Sequence, residues 1–599
     1  VSKKIIGIGA AATIGCFGVC NASADDWSVS GLLRQEISAK YSDNSNTNND
    51  AGNSFNGVTV INKSVITSGL VPTFTRPASA KINNTYNQFD TRFELNLDGK
   101  LSETWSAHFK LRGINDEIGQ MERAFRNVNL YQQPFSGSSH GGTPFESAGK
   151  DWMLDLPVAY LDYNSGPLWM RFGNQQIAWG EAILFRVADQ VDGLDLRRHS
   201  ILGPIAEEFS DVRVPALAVR GSYRLTEGWD VDAFIQRFQP TILGNPNSPY
   251  NPITSQFIID QKTGYDQVKN QWDFGAKLRG TFGDYGVTAF ALRRNNPDGV
   301  YSWTLAQGPT ALPGSAFSVG GGTGVFSAEE WMAYASKSRL DGLGGLETAL
   351  NQFPGTVALG ANLVAGACGA SNAGVGTVQV NQASASCILD TLFTGHDLNG
   401  WIKRVFPKEN VFGGSVNHVF EGEPDSLMDQ LIGRFEVSYT PNKLFTNPTL
   451  SQEYIKRNET TFAFITEKYH KFSSEVPATY FVLQWMHKSA SDIFGRALDG
   501  GNNTPGSHPN GIRGGANYVV LALQQPSPTL EWRFDLTVMT DFKGGWLVQP
   551  GTRWKPNKNM QFDFYVNYID STKSKQTIQN FAQGLEYAKE VSIRAAYFF

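Results

Sequence analysis

The stretch FDTRFELNLD, Phe89 to Asp98, alternates without a break. Phe89, Thr91, Phe93, Leu95 and Leu97 fall on one face, and Asp90, Arg92, Glu94, Asn96 and Asp98 on the other. A strand sends successive side chains to opposite faces, whereas a helix brings its apolar residues round every third or fourth position. After a short turn, TWSAHFKLRG repeats the pattern, with Trp105, Ala107, Phe109 and Leu111 opposing Ser106, His108, Lys110 and Arg112. Two such runs around a turn make a hairpin. QWDFGAKLRGTF (from Gln271), LEWRFDLTVMT (from Leu530) and MQFDFYVNYI (from Met560) carry the same signature. A β-sandwich also alternates. Segments of about ten residues with a densely charged polar face suit instead a tilted barrel wall, with lipid outside and water inside.

Link lengths support the barrel. Short links at Gly99 to Ser102, Asn164 to Pro167, Thr226 to Gly228 and Gly283-Asp284 separate long ones near 40–88, 114–151, 240–270, 296–410 and 488–516. Outer-membrane barrels have short periplasmic turns and long outer loops, and an even strand number when both ends lie in the periplasm. The expectation is an all-β chain forming a transmembrane antiparallel β-barrel of about 16 to 18 strands across residues 25–599. The segments near 411–420 and 451–466 are the weakest strands. Residues 296–410 break the pattern and read as a partly helical insertion, plug-like or lying over the barrel. Ser327 and Glu330 stand at capping-box spacing there, opening one or two helices. A disordered surface loop is the alternative for this glycine-rich stretch.

The opening VSKKIIGIGAAATIGCFGVCNASADD has Lys3 and Lys4, an apolar run and Ala22-Ser23-Ala24 before Asp25, so residues 1–24 are expected to be a signal peptide. No other long apolar stretch follows, and the mean hydropathy is −0.28. The formal charge of −5 becomes −7 once Lys3 and Lys4 leave, which argues against a nucleic-acid partner. Of 4 cysteines, Cys16 and Cys20 belong to the leader. Cys368 and Cys387 remain, and in an exported chain they are expected to form a disulfide, contributing about 3 kcal/mol by loop closure. In the ending VSIRAAYFF, Val591, Ile593, Ala595, Tyr597 and Phe599 share the lipid-facing side of a closing strand, with Ser592 and Arg594 on the other. Phe598 does not fit that alternation.

The stretch RFGNQQIAWGEAILFRVADQVDGLDLRRHS, Arg171 to Ser200, starts as a strand and then breaks alternation. It gathers Arg171, Gln175, Gln176, Trp179, Glu181 and Arg186, followed by Asp189, Asp192, Asp195 and Arg197. Gly180 allows a turn or a close backbone approach. A mixed-charge cluster beside a strand end has two readings: it gates the lumen through cross-barrel ion pairs, or it braces a loop against the wall.

Arg171-Phe172-Gly173, Gln175-Gln176, Trp179-Gly180-Glu181-Ala182, Asp189 and Asp195-Leu196-Arg197, with the downstream EEFSDVRVPALAVRGSYRL, resemble the proteobacterial family called domain of unknown function 1302. Asn174 departs from it where a basic residue is expected, as does Gly193 where Asn-Pro is expected. The resemblance implies an outer-membrane barrel of a Gram-negative bacterium, set in outer-membrane lipid. It also implies a periplasmic partner like the lipoprotein-localisation carriers and an inner-membrane exporter of the resistance-nodulation-division type. The implied role is traffic of a lipid-like or other hydrophobic compound, and no site residue comes with it.

Two other function classes stay open. The polar strand faces carry both signs, such as Asp90, Arg92 and Glu94, so no single-sign ring marks an ion filter, and a general diffusion porin for small polar solutes is the main alternative. An outer-membrane lipolytic enzyme is the other, resting on His487 and Ser489 on one strand face with Asn502 or Asn503 nearby. The motif around Ser139 lacks the strand and helix of a nucleophile elbow. Asp43 to Asn53 spaces oxygen ligands as calcium loops do but reads as a solvated outer loop. The chain is therefore expected to be non-enzymatic, without cofactor or metal, its oligomeric state open.

Overall fold

In the computed structural model, residues 27–49, 84–135, 141–182, 185–197, 212–308, 313–319, 325, 327–355, 365–370, 378–392, 397–424, 426–498, 514–572 and 580–599 are described. The expected signal peptide and the motif around Ser139 lie outside them, as do Asn502 and Asn503.

Among the described residues, eighteen antiparallel strands close into one barrel. They are β1 (Trp27–Lys40), β2 (Tyr86–Lys100), β3 (Trp105–Asp116), β4 (Trp152–Ser165), β5 (Leu168–Gln175) and β6 (Ala216–Thr226). Then come β7 (Trp229–Arg237), β8 (Trp272–Phe282), β9 (Tyr285–Asn295), β10 (Lys408–Phe420), β11 (Leu431–Phe445) and β12 (Ile455–His470). The wall ends with β13 (Thr479–Lys488), β14 (Ala516–Pro526), β15 (Trp532–Asp541), β16 (Gly545–Asn557), β17 (Met560–Ser571) and β18 (Glu590–Phe598). Each strand pairs with its neighbours in sequence, and β18 pairs with β1 to close the ring.

The two weakest segments are both strands, for readable reasons. In β10 the alternation is interrupted by Gly413 and Gly414; a Cβ at Gly413 would stand 2.4 Å from the Val437 carbonyl and 2.5 Å from the Phe290 ring, which lies across it. In β12 the run KRNETT is polar because Lys456, Arg457 and Asn458 are exposed, while Glu459 points inward, where its carboxylate meets Lys443 at 2.5 Å.

Burial is inverted relative to a soluble protein. Asp90, Arg92 and Glu94 of β2 are buried, while Phe93 on the same strand is exposed, as are Leu33, Phe274, Phe464, Phe534 and Ile593 around the wall. Exposed apolar rings on every side of a closed sheet are satisfied only by lipid, which places the barrel in an outer membrane. The last strand behaves as expected: Ile593 and Tyr597 face out and Ser592 and Arg594 face in. Gly31 and Phe599 exchange two backbone hydrogen bonds, of 2.9 and 3.1 Å.

The short links picked out from sequence all lie on one side. Gly166-Pro167 and Gly283-Asp284 turn the chain in two residues, with Gly166 and Gly283 in the left-handed region. The opposite, outer side carries the long links, two short ones at 446–454 and 542–544, and a folded module within residues 296–410. That module has its own core. Trp303, Phe317, Trp331, Tyr334, Leu350 and Ile388 pack together under helices Ala328–Lys337, Gly342–Gln352 and Gln382–Leu392. A four-stranded sheet (Phe257–Asp260, Val300–Trp303, Phe317–Val319, Leu398–Val405) completes it. Ser327 caps the first helix, its Oγ accepting the Glu330 N–H at 3.2 Å. The third helix and the sheet were not legible in the sequence. Cys368 and Cys387 are bonded, with Cα atoms 5.5 Å apart.

The Asn-rich stretch after β1 is not a solvated loop as far as it is described. Asn46, Asn48 and Asn49 are buried, and their side-chain amides donate to the Ser248, Pro249 and Asn251 carbonyls, stapling two outer loops together.

Candidate functional site

After Gln175 the chain leaves the wall and enters the lumen. Two residues before that departure, and still paired in the wall, Gly173 has a φ of 134° and no room for a side chain, with the Ala159 carbonyl 2.3 Å from any Cβ. Asn174, in place of the expected basic residue, is buried and donates to the Leu156 carbonyl at 2.8 Å, just before Pro157. A neutral amide caps a free carbonyl in the wall without stranding a charge there.

The residues gathered from sequence separate into three groups. Arg171 stays on the lower wall, paired with Asp162 at 2.7 Å. Gln175 and Gln176 are fasteners, donating to the Ala218 and Arg213 carbonyls at 3.1 and 2.7 Å. The second group lies in the lumen. Trp179 donates its indole N–H to Asp232 at 3.0 Å, with Lys277 5.5 Å from its ring. Arg186 donates to the Asp189 carbonyl at 2.9 Å and to that of Asp192, and Asp189 also meets Arg213 at 2.8 Å. Gly180 packs its α-carbon against the backbone of Asp189, where a Cβ would be 2.7 Å from the amide nitrogen. Asp192 is buried and accepts the Ile177 N–H at 2.6 Å; burial pushes its carboxyl up to about 7. The third group is Asp195 and Arg197. Arg197 bridges Asp195 and Glu146 at 2.6 and 2.5 Å, tying the segment to the loop after β3.

Most of these charges therefore brace the inward segment. Glu181 alone of the sequence-selected residues reaches the far wall, 3.5 Å from Arg434 of β11. Its neighbours do more. Glu436 of β11 accepts the backbone N–H groups of Glu181, Ala182 (2.9 Å) and Ala188 (3.1 Å) on one carboxylate. Further along, Phe185 packs against Tyr518 of β14, with ring centroids 6.1 Å apart. β14 stands nine strands from β5 in a ring of eighteen, so the segment crosses the lumen.

What it lies on was not anticipated. Following the register from β12 to β17, the inward residues in one row are Ile465, Gln484, Val520, Met539, Leu547 and Ile569. Ala463, Val482 and Met486 flank it, and Phe185, Val187, Phe581 and Tyr587 cover it in one buried cluster. The sequence did carry a signal: TYFVLQWM and ANYVVLAL are apolar on both faces, the mark of a strand covered on both sides. Below this row the lumen is lined by matched charges, including Arg112 with Asp155, Arg220 with Asp232, Arg553 with Asp563 and Arg594 with Glu36, at 2.6 to 2.8 Å.

The lipolytic pair is not assembled. His487 faces outward and its Nδ1 lies 3.1 Å from Asn517 Oδ1, while Ser489 Oγ accepts the Thr460 N–H at 2.8 Å. Among the described residues His487 and Ser489 share no hydrogen bond.

No curated protein matches the sequence. Similar solved structures include OccAB3 of Acinetobacter baumannii, at 7% identity and a TM-score of 0.42, covering 96% of this chain and 99% of that one. OccK2 (OpdF) of Pseudomonas aeruginosa, in complex with glucuronate, matches at 7% and 0.39, covering 96% and 98%. OmpF of Salmonella typhi, in complex with daunomycin, matches at 7% and 0.33, covering 96% and 97%. Scores this low carry nothing about cargo. With the model described as "Protein of unknown function (DUF1302)" matching residues 36–588, the chain belongs to that family.

Proposed function

We propose that the barrel is a conduit or dock for a lipid-like or other hydrophobic compound. The observation that supports this is the row inside the lumen from Ile465 to Ile569, apolar at every position but Gln484, because a channel for small polar solutes gains nothing from an apolar inner wall. Phe185 and Val187 cover the row together with Phe581 and Tyr587, so it is closed at rest; withdrawing the Phe185 and Val187 side chains exposes a surface on which an apolar molecule is more stable than in water. The charges named below it are paired with opposite sign rather than arranged as a single-sign ring that would select an ion. We place with this reading a periplasmic carrier on the short-turn side and an inner-membrane exporter of the resistance-nodulation-division type, on the family resemblance.

Two measurements on the purified native barrel test the reading. Mass spectrometry of its organic extract is expected to find a bound hydrophobic compound in near-stoichiometric amount, and planar-bilayer recordings are expected to be silent at low voltage. Steady open-channel current together with an empty extract would overturn it in favour of a general diffusion porin.

A further inference from the structure

The lumen-crossing segment does two things at once. Its backbone amides at Glu181, Ala182 and Ala188 converge on the two oxygens of Glu436, and its Phe185 and Val187 cover the apolar row. Amide groups converging on one carboxylate make an anion nest. The nest also adjoins the row by register, since Glu436 pairs with Ala463 and Arg434 with Ile465 on β12. From β12 the row runs to β17, and adjacent strands lie about 4.8 Å apart, so it offers an extended track rather than a point contact.

An anionic cell at one end of an apolar track has the layout of a site for an amphiphile. We propose that Glu436 with Phe185 and Val187 is a built-in stand-in for cargo, and that the nest takes the carboxylate head of an amphiphile whose apolar tail takes the row. The occupant of the nest is already a carboxylate, with one oxygen serving two amides and the other serving one. A doubly charged phosphate head is disfavoured, because Glu181 and Glu467 both lie against Arg434 beside the cell. This inference rests on the hydrophobic-conduit reading and adds the head group to it.

The test uses the full chain in nanodiscs and two probes of equal tail, laurate and dodecanol. Glu436→Ala empties the nest, and is expected to bind laurate at least about tenfold more tightly than wild type, the scale of one charge-assisted hydrogen bond, with dodecanol unchanged. Equal gains for the two probes, or no gain for laurate, would overturn the proposed head group while leaving the conduit reading intact. Failure of wild type and variant to bind either probe overturns both. Heat-modifiable migration in SDS checks that the variant barrel is folded. Glu436→Ser, whose side chain is too short to refill the nest, serves if the alanine variant does not fold, and the same preference for laurate is required of it.

Discussion

Phe185→Ala isolates the anchor of the lumen-crossing segment. The side chain is 5% exposed and lies in the buried cluster with Val187, Tyr518 and Val520. Truncating a buried Phe costs about 3 to 5 kcal/mol, combining lost burial with the cavity left behind. The lower end applies here, because the amides of Glu181, Ala182 and Ala188 still hold Glu436 and the rest of the segment stays fastened by Gln176 and Arg197. At about 1.4 kcal/mol per decade, a loss of about 3 kcal/mol raises the undocked population roughly a hundredfold. Planar-bilayer recordings should therefore show opening events about two decades more frequent than in wild type, with Phe185→Leu far closer to wild type because most of the buried area is kept. A Phe185→Ala barrel that is folded by heat-modifiable migration yet records like wild type would refute the claim that this anchor keeps the lumen closed.

Three further perturbations follow from particular contacts. Replacing both Cys368 and Cys387 by Ser removes the staple across the module's third helix and should cost the module about 3 kcal/mol, seen as faster limited proteolysis within 296–410 with the barrel intact. Gly31→Val puts a Cβ 2.3 Å from the Phe599 ring and 2.7 Å from the Glu94 carbonyl, so the β1–β18 seam should fail to close and the yield of heat-modifiable barrel should fall. Asp192 has its carboxyl raised to about 7, so folding favours its protonated form and its contribution is lost as pH rises from about 4 through 7. Opening events should accordingly become more frequent across that window, and Asp192→Asn, which still accepts the Ile177 N–H, should weaken the pH dependence.

Much of the wall was legible before any coordinates. In β2, β3, β8, β15, β17 and β18 a period of two, with charge on one face and rings on the other, leaves only one arrangement that satisfies both lipid and water. The capping box at Ser327 and the cysteine pair were equally local signals. β10 and β12 were harder to read because Gly413 answers to Phe290 on a neighbouring strand and Glu459 to Lys443, and neither partner is visible within the segment itself.

Sequence by itself determined the class of the molecule, the side on which the long loops lie, and that the stretch from Arg171 to Ser200 starts as a strand and then breaks alternation. Tertiary structure alone decided what that stretch does. Its charged residues, conspicuous in the sequence, turned out mostly to brace it, because a buried Arg or Asp is stable only where a partner waits. The residues that give the lumen its character are Glu436, Phe185 and the row from Ile465 to Ile569, which come from seven strands and one loop. No local pattern joins them. They meet only because closure of eighteen strands sets β5 opposite β14, and the register of each pair brings their inward side chains into one continuous row.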